Sequence, residues 1–279
     1  MIIKIMNKFN QILKELLPNK LYHRVYGYYL ILRHPKKELP NYILKKKYFI
    51  KDNKKNNLFS LRLMGGAILG RGTTFYTKEP ETVNWIKNFD KESVFFDIGA
   101  NIGIYSLFAA KLNHSTVSFE PESHNFAALN ININDNNFEK KIISYPISLD
   151  EKMIISQLNI FKFRFGGSGH SFDRSINPQG KEFATSHIQG SISITLDYFC
   201  EETKIYPDHV KIDVDGNELR VIKGMKDLLA SKKIKSILIE LDRTFSEHIK
   251  VISILKSFDY KLLYYNDKDG ASNHIFDLN

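Results

Sequence analysis

The 279 residues are 43% hydrophobic, 25% charged and 13% aromatic, a composition that supports a packed core and excludes disorder throughout. The single cysteine, Cys200, excludes an internal disulfide and a cysteine-based zinc cluster, and makes a reducing, cytoplasmic setting the simplest expectation. A net charge of +9 suggests nucleic acid until it is divided along the chain: residues 1–62 carry 15 Lys/Arg against 3 Asp/Glu, and the remainder 25 against 28. The excess belongs to an N-terminal appendage, so no nucleic-acid partner is expected for the slightly acidic body.

Residues 1–57 read as a basic, largely helical extension. In its opening run, Ile2, Ile5, Met6, Phe9, Ile12, Leu13, Leu16 and Leu17 recur at helical spacing between lysines. The apolar stretches are too short to span a bilayer, and no small-residue cleavage site follows them. The helix is expected either to pack by its apolar face or to make peripheral contact with the inner face of an anionic membrane. Lys45, Lys46, Lys47, Lys51, Lys54 and Lys55 would assist that contact.

The organised body is expected over 58–279. It opens with short β-rich runs through LFSLRLMGGAILG and a helix near Glu81, then alternates apolar strands with helices: SVFFDIG, TVSFE, KIISYPI, DHVKIDV and IKSILIEL. Continuous apolar strands are covered on both faces, as in an α/β, doubly wound, mostly parallel sheet. YKLLYY and HIFDL are joined by a segment too short for a crossover helix and should form an antiparallel hairpin at the sheet edge. Between the third and fourth strands, residues 151–195 form an insertion containing FRFGGSGHSFDRSINPQG. Its glycines suggest mobility, and Phe161, Phe163, Phe165 and Phe172 supply flat apolar surface, as an acceptor lid would.

Ligands of such sheets bind beyond the carboxyl ends of the strands. The first strand ends in Asp97-Ile98-Gly99-Ala100-Asn101-Ile102-Gly103, and the second ends in Glu120, at the interval where an acid reaches ribose hydroxyls. A dinucleotide fold would use G-x-G-x-x-G; here Asn101 replaces the second glycine, and Asp97 would repel a pyrophosphate. An adenosine ligand with a cationic, phosphate-free end fits better, and S-adenosylmethionine is such a molecule. Asp213 ends the fourth strand and Glu240 the fifth, and His170 lies in the glycine loop; these three are the candidate catalytic residues. Asp215 and Glu218 have the spacing of a helix-capping pair; with Asp213 they would alternatively gather Mg²⁺ or Ca²⁺, although a divalent metal is not expected. His114, His124, His187, His209 and His248 show no metal-ligand spacing.

The runs VFFDIGANIGIYSLFAA, SFEPESHNFAALNININ, ITLDYF, VKIDVDGNELRVIKG and ILIEL resemble, in order and spacing, those of FkbM-type methyltransferases, from about residue 75 to the C-terminus. The resemblance implies a class I, Rossmann-like fold dependent on S-adenosylmethionine and, usually, methylation of a hydroxyl on a sugar, glycan or related secondary metabolite. It also implies that Asp97, Gly99, Asn101 and Gly103 surround the methionine part, that Glu120 holds the ribose, and that Ile147 and Ser148 lie near the adenine. The third strand ends in YPISLDEK where the family more usually carries an alanine, which weakens the adenine assignment. The alternatives are a nicotinamide-dependent oxidoreductase, a non-catalytic module binding a cofactor or partner, and, more weakly, a nucleic-acid methyltransferase, whose Asn-Pro-Pro-Tyr-type signature is absent.

Overall fold

A computed structural model describes residues 46–265 and 270–278. The amphipathic N-terminal segment and the tip of the C-terminal hairpin lie outside the described residues. One compact unit runs from Lys47 to Asn279, eleven residues earlier than the boundary at 58. The difference is a strand: β1 (Lys47–Lys51) pairs antiparallel with β2 (Asn57–Arg62). Its lysines resemble extension charge, yet Ile50 is buried in the core and Lys47 bonds Asp135 at 3.2 Å.

A second difference follows at once. The GGAILG run is not strand but the helix α1 (Gly66–Thr73), which buries Ile68 and Gly72 one turn apart. Gly72 is needed there, since a Cβ would lie 2.6 Å from the Tyr48 ring. The chain then continues through α2 (Pro80–Lys87), β3 (Val94–Ile98), α3 (Ile104–Lys111), β4 (Ser115–Phe119), α4 (Ser123–Asp135) and β5 (Ile142–Tyr145). After β6 (Ser148–Leu149), the insertion holds β7 (Ile154–Ile160), β8 (Ser171–Phe172) and β9 (His187–Ile194). Beyond it come α5 (Leu196–Thr203), β10 (His209–Ile212), α6 (Glu218–Lys223), α7 (Lys226–Ala230), β11 (Ser236–Leu241), α8 (Ser246–Ser257), β12 (Lys261–Tyr265) and β13 (Ser272–Asp277).

Seven strands form one sheet in the order β12-β13-β11-β10-β3-β4-β5. The five from β11 to β5 are parallel, and β13 runs antiparallel to both β11 and β12. This is the doubly wound, mostly parallel sheet expected from the sequence, with its antiparallel C-terminal hairpin. Alternate residues of each strand serve opposite faces. Phe96, Ile98, Val117, Val210, Ile212 and Ile239 pack against α5 to α8, whereas Phe95 and Leu238 pack against α2 to α4 and the β1–β2 hairpin. The strand order reverses between β3 and β10, which opens a crevice at their carboxyl ends. The insertion joins β6 in a second sheet, β6-β9-β7-β8, instead of an open loop.

Candidate active site

A cavity of about 230 Å³ occupies that crevice. Its first wall is the turn after β3. Gly99 has φ +81°, and a Cβ there would lie 1.9 Å from the Asp213 carbonyl oxygen, so the ends of β3 and β10 can meet only around a glycine. Asn101, at φ 52°, donates its backbone N–H to Glu120 Oε2 at 2.7 Å, while its side-chain amide donates to the Gly167 carbonyl at 2.6 Å. Glu120 Oε1 accepts a second backbone N–H, from Glu122, at 2.8 Å. Burial pushes the Glu120 carboxyl up to about 8 despite these two bonds. A carboxylate has about four acceptor positions, so this one retains capacity for ribose hydroxyls.

Two predicted cofactor residues stand elsewhere. Gly103 opens α3 at φ +82° and does not border the cavity; a Cβ there would press on Leu129 Cδ1 at 2.3 Å, so its role is packing against α4. Asp97 lies beneath the floor, 1% exposed, because its position alternates with Phe96 and Ile98 onto the α3 face. Ser106 donates to its Oδ2 at 2.5 Å, Ser118 donates to Ser106 at 2.8 Å, and Lys211 is its register partner on β10. Burial raises the Asp97 carboxyl, with the Lys211 charge opposing. Asp97 therefore does not face a ligand's phosphate; the carboxyl groups that do are on the cavity wall.

Asp213, Asp215 and Glu240 each bring an oxygen within 4.8 Å of the other two. Lys211, 1% exposed, donates to Asp213 Oδ2 at 2.8 Å, and its ammonium stands 5.3 Å from the centre of the Tyr105 ring. Burial and then the Asp213 charge push Asp215 up to about 7, and burial with the Asp213 and Asp215 charges pushes Glu240 well above the usual carboxylate range. Glu218 is not part of this set. Its Oε1 accepts the Val214 and Gly216 N–H groups at 3.2 Å, and its Oε2 meets His248 Nε2 at 2.8 Å. Glu218 therefore ties together the turn that leads into α6 without capping the helix, while Asp215 turns away and accepts the Gly169 N–H at 2.7 Å. The three-oxygen set that would suit a hard cation thus has Glu240 where the sequence spacing had Glu218.

The glycine loop is tied down along its length. The Gly166 N–H donates to Asn125 Oδ1 at 2.8 Å, the Gly167 carbonyl accepts from Asn101 and Asn125, and the Gly169 N–H is held by Asp215. His170 lies at its end on the cavity wall, and neither ring nitrogen has a hydrogen-bond partner in its buried position. Burial pushes its pKa down. Of the loop aromatics only Phe172 borders the cavity; Phe161 and Phe163 are exposed.

At the apolar end, Ile147 and Ser148 join Phe119, Pro121, Leu149 and Leu158. The Ser148 hydroxyl is buried without a partner there, which suits a flat heterocycle with polar edges. Sequence reasoning missed the contribution of the segment before β3: Arg71, Lys78, Glu79 and, from α3, Tyr105 all border the cavity. Lys78 pairs with Glu79 at 2.8 Å. Burial would raise Glu79, but the Lys211 and Lys78 charges outweigh it and hold the carboxyl down to about 2. The one available signal was Lys211 itself, since a lysine inside a strand covered on both faces must have buried anionic partners.

The chain is 26% identical over 164 residues to the hexuronic acid methyltransferase AglP of Haloferax volcanii, covering 56% of this chain and 59% of that protein. Among solved structures, the methyltransferase FkbM of Methylobacillus flagellatus KT is similar at 16% identity with a TM-score of 0.47, over 68% of this chain and 44% of the other. The precorrin-6y C5,15-methyltransferase of Geobacter metallireducens GS-15 is similar at 12% identity with a TM-score of 0.41, over 71% and 86%. The chain thus spans little more than half the length of the curated relative. The Methyltransferase FkbM domain profile matches residues 97–262, a run that begins at Asp97 and takes in the glycine turn, Glu120, the acidic trio and His170, and the chain belongs to that family.

Proposed function

We propose that the cavity binds S-adenosylmethionine and that the protein is an O-methyltransferase acting on a hydroxyl of a sugar or glycan. The observation that carries this reading is the charge of the wall. Five carboxylates, Glu79, Glu120, Asp213, Asp215 and Glu240, border the cavity, against the cations Arg71, Lys78 and Lys211, two of which are already paired with Glu79 and Asp213. Burial and mutual repulsion raise Glu120, Asp215 and Glu240, so these carboxyls would ionise more readily beside a bound ammonium or sulfonium, whereas a pyrophosphate would add like charge; this disfavours a nicotinamide dinucleotide.

The residues fit the donor from end to end. Ile147 and Ser148 would take the adenine, Glu120 the ribose hydroxyls, and Asp213 with the turn after β3 the cationic methionine part. When bound, S-adenosylmethionine supplies an electrophilic methyl group on sulfur. The chain must hold an acceptor oxygen in line with it and remove the hydroxyl proton as the new bond forms. His170 suits that second task. Its lowered pKa keeps the imidazole neutral near pH 7, and neither ring nitrogen makes a well-formed hydrogen bond, the Gly167 backbone being the nearest protein partner. Glu240, pushed far up by burial and then by the Asp213 and Asp215 charges, holds a proton and suits a hydrogen bond to a non-reacting oxygen of the acceptor instead.

The test is incubation of the full chain with methyl-labelled S-adenosylmethionine and a panel of sugars. Incorporation that survives mild base identifies an ether oxygen as the product; base-labile label would mean a methyl ester, and no incorporation from any acceptor would count against the reading. His170→Ala should lower turnover by about 10²–10³-fold. The basic amphipathic segment at the N-terminus is proposed to hold the enzyme at an anionic membrane surface. Deleting residues 2–20 should then abolish sedimentation with phosphatidylglycerol-containing vesicles, and unchanged sedimentation would sink the idea.

A further inference from the structure

Arg71 stands apart from the other charges of the cavity. Lys78 and Lys211 are paired with carboxylates at 2.8 Å, whereas the only bond recorded for Arg71 among the described residues joins its Nε to the Gly166 carbonyl at 3.3 Å. That bond holds the head of the side chain between two elements. Gly166, at φ +72°, packs so closely on α1 that a Cβ would lie 3.3 Å from both Ala67 and Ile68, and Asn125 fixes the same residue from the other side. The two terminal nitrogens of the guanidinium are left for a ligand, in a wall that otherwise favours cations. His170 adds a second unsatisfied group. It lines the same cavity with both ring nitrogens unpartnered, and the Arg71 charge is felt there as well as at Asp215.

A planar anion meets both needs. A carboxylate accepts two parallel N–H bonds from a guanidinium and a third from an imidazole, and it offsets a positive charge that makes no contact ion pair among the described residues. We propose that Arg71, with His170 beside it, is a carboxylate-recognition point in the cavity. The proposal rests on the methyltransferase reading above and deepens it. The carboxylate belongs either to a uronate-type sugar acceptor, which would make Arg71 a specificity residue, or to the methionine end of the donor.

Binding to the full chain separates these sources. S-adenosylmethionine is compared with its decarboxylated analogue, and D-glucuronate with D-glucose in the presence of S-adenosylhomocysteine, for the unaltered protein and for Arg71→Gln. A roughly 10- to 100-fold loss confined to glucuronate supports the proposal and assigns the acceptor's carboxylate; the same loss confined to S-adenosylmethionine, with its decarboxylated analogue unaffected, supports it and assigns the donor's. If Arg71→Gln does not fold, Arg71→Lys keeps the charge, loses the two-pronged geometry and gives the same comparison. Substitution that changes neither ratio overturns the proposal. Failure of the unaltered chain to bind S-adenosylmethionine would defeat the donor reading instead, and the comparison of glucuronate with glucose would still decide whether Arg71 recognises a carboxylate.

Discussion

At the scale of single residues, two glycines of one motif do different work. Gly99 holds the backbone of β3 against the carbonyl of Asp213, where nothing can yield, whereas Gly103 leaves room for the flexible end of Leu129. Gly99→Ala should therefore destabilise by more than about 2 kcal/mol, and Gly103→Ala by less, as measured by urea unfolding. Equal losses would show that the left-handed φ, shared by both, is the whole cost. Glu120 gives a pH prediction. Its carboxyl is raised from 4.5 to about 8, so the folded chain keeps a proton that the unfolded chain has released. Stability of the free protein should fall as pH rises from 4.5 towards 8, and Glu120→Gln should reduce that fall. Affinity for a ribose-bearing ligand should change in the opposite direction, rising towards pH 8 as the carboxylate becomes available. A Glu120→Gln profile as steep as that of the unaltered protein would contradict the assignment. The spacing from Asp97 to Glu120 made the second residue legible. It could not reveal that Asp97 faces α3, because strand alternation decides that and the count starts from a boundary known only to a residue or two.

At the scale of elements, the glycine loop shows where composition misleads. Three glycines suggested mobility, yet Asn101, Asn125 and Asp215 bind the loop backbone at Gly166, Gly167 and Gly169. Glycine here allows close approach as much as freedom: a Cβ on Gly167 would lie 2.7 Å from the Lys162 carbonyl. Asn125→Ala removes two of those bonds and should speed amide exchange in residues 161–170 while costing the whole fold about 1–3 kcal/mol. Exchange unchanged in the loop would mean that packing, and not Asn125, holds it. The partners were hidden for a simple reason: Asn125 is 41 residues from Gly166, and nothing local marks one asparagine of a helix as inward-facing. α1 was misread for a related cause. GGAILG has too few residues to display a helical period, and its glycines argue against a helix until Tyr48 is seen against Gly72.

For the whole molecule, the strongest sequence signals were those that repeat. Continuous apolar strands between helices announced a sheet buried on both sides, and the two core layers on its faces are the direct consequence. The crevice at the reversal of strand order then had to border the strand ends. The cationic and aromatic residues from the segment before β3 were not legible, since that segment contributes side chains and no recognisable motif. The chemistry of the cavity therefore emerges only when Arg71, Lys78 and Glu79 are set beside the ends of β3, β4, β10 and β11. Whether this carboxyl-lined cavity takes S-adenosylmethionine is tested most directly by calorimetric titration of the full chain with that molecule and, separately, with a nicotinamide dinucleotide. Saturable one-to-one binding of S-adenosylmethionine, weakened at least about tenfold by Glu120→Ala and not matched by the dinucleotide, is the predicted result. Preference for the dinucleotide, or no binding of S-adenosylmethionine by folded protein, would contradict it.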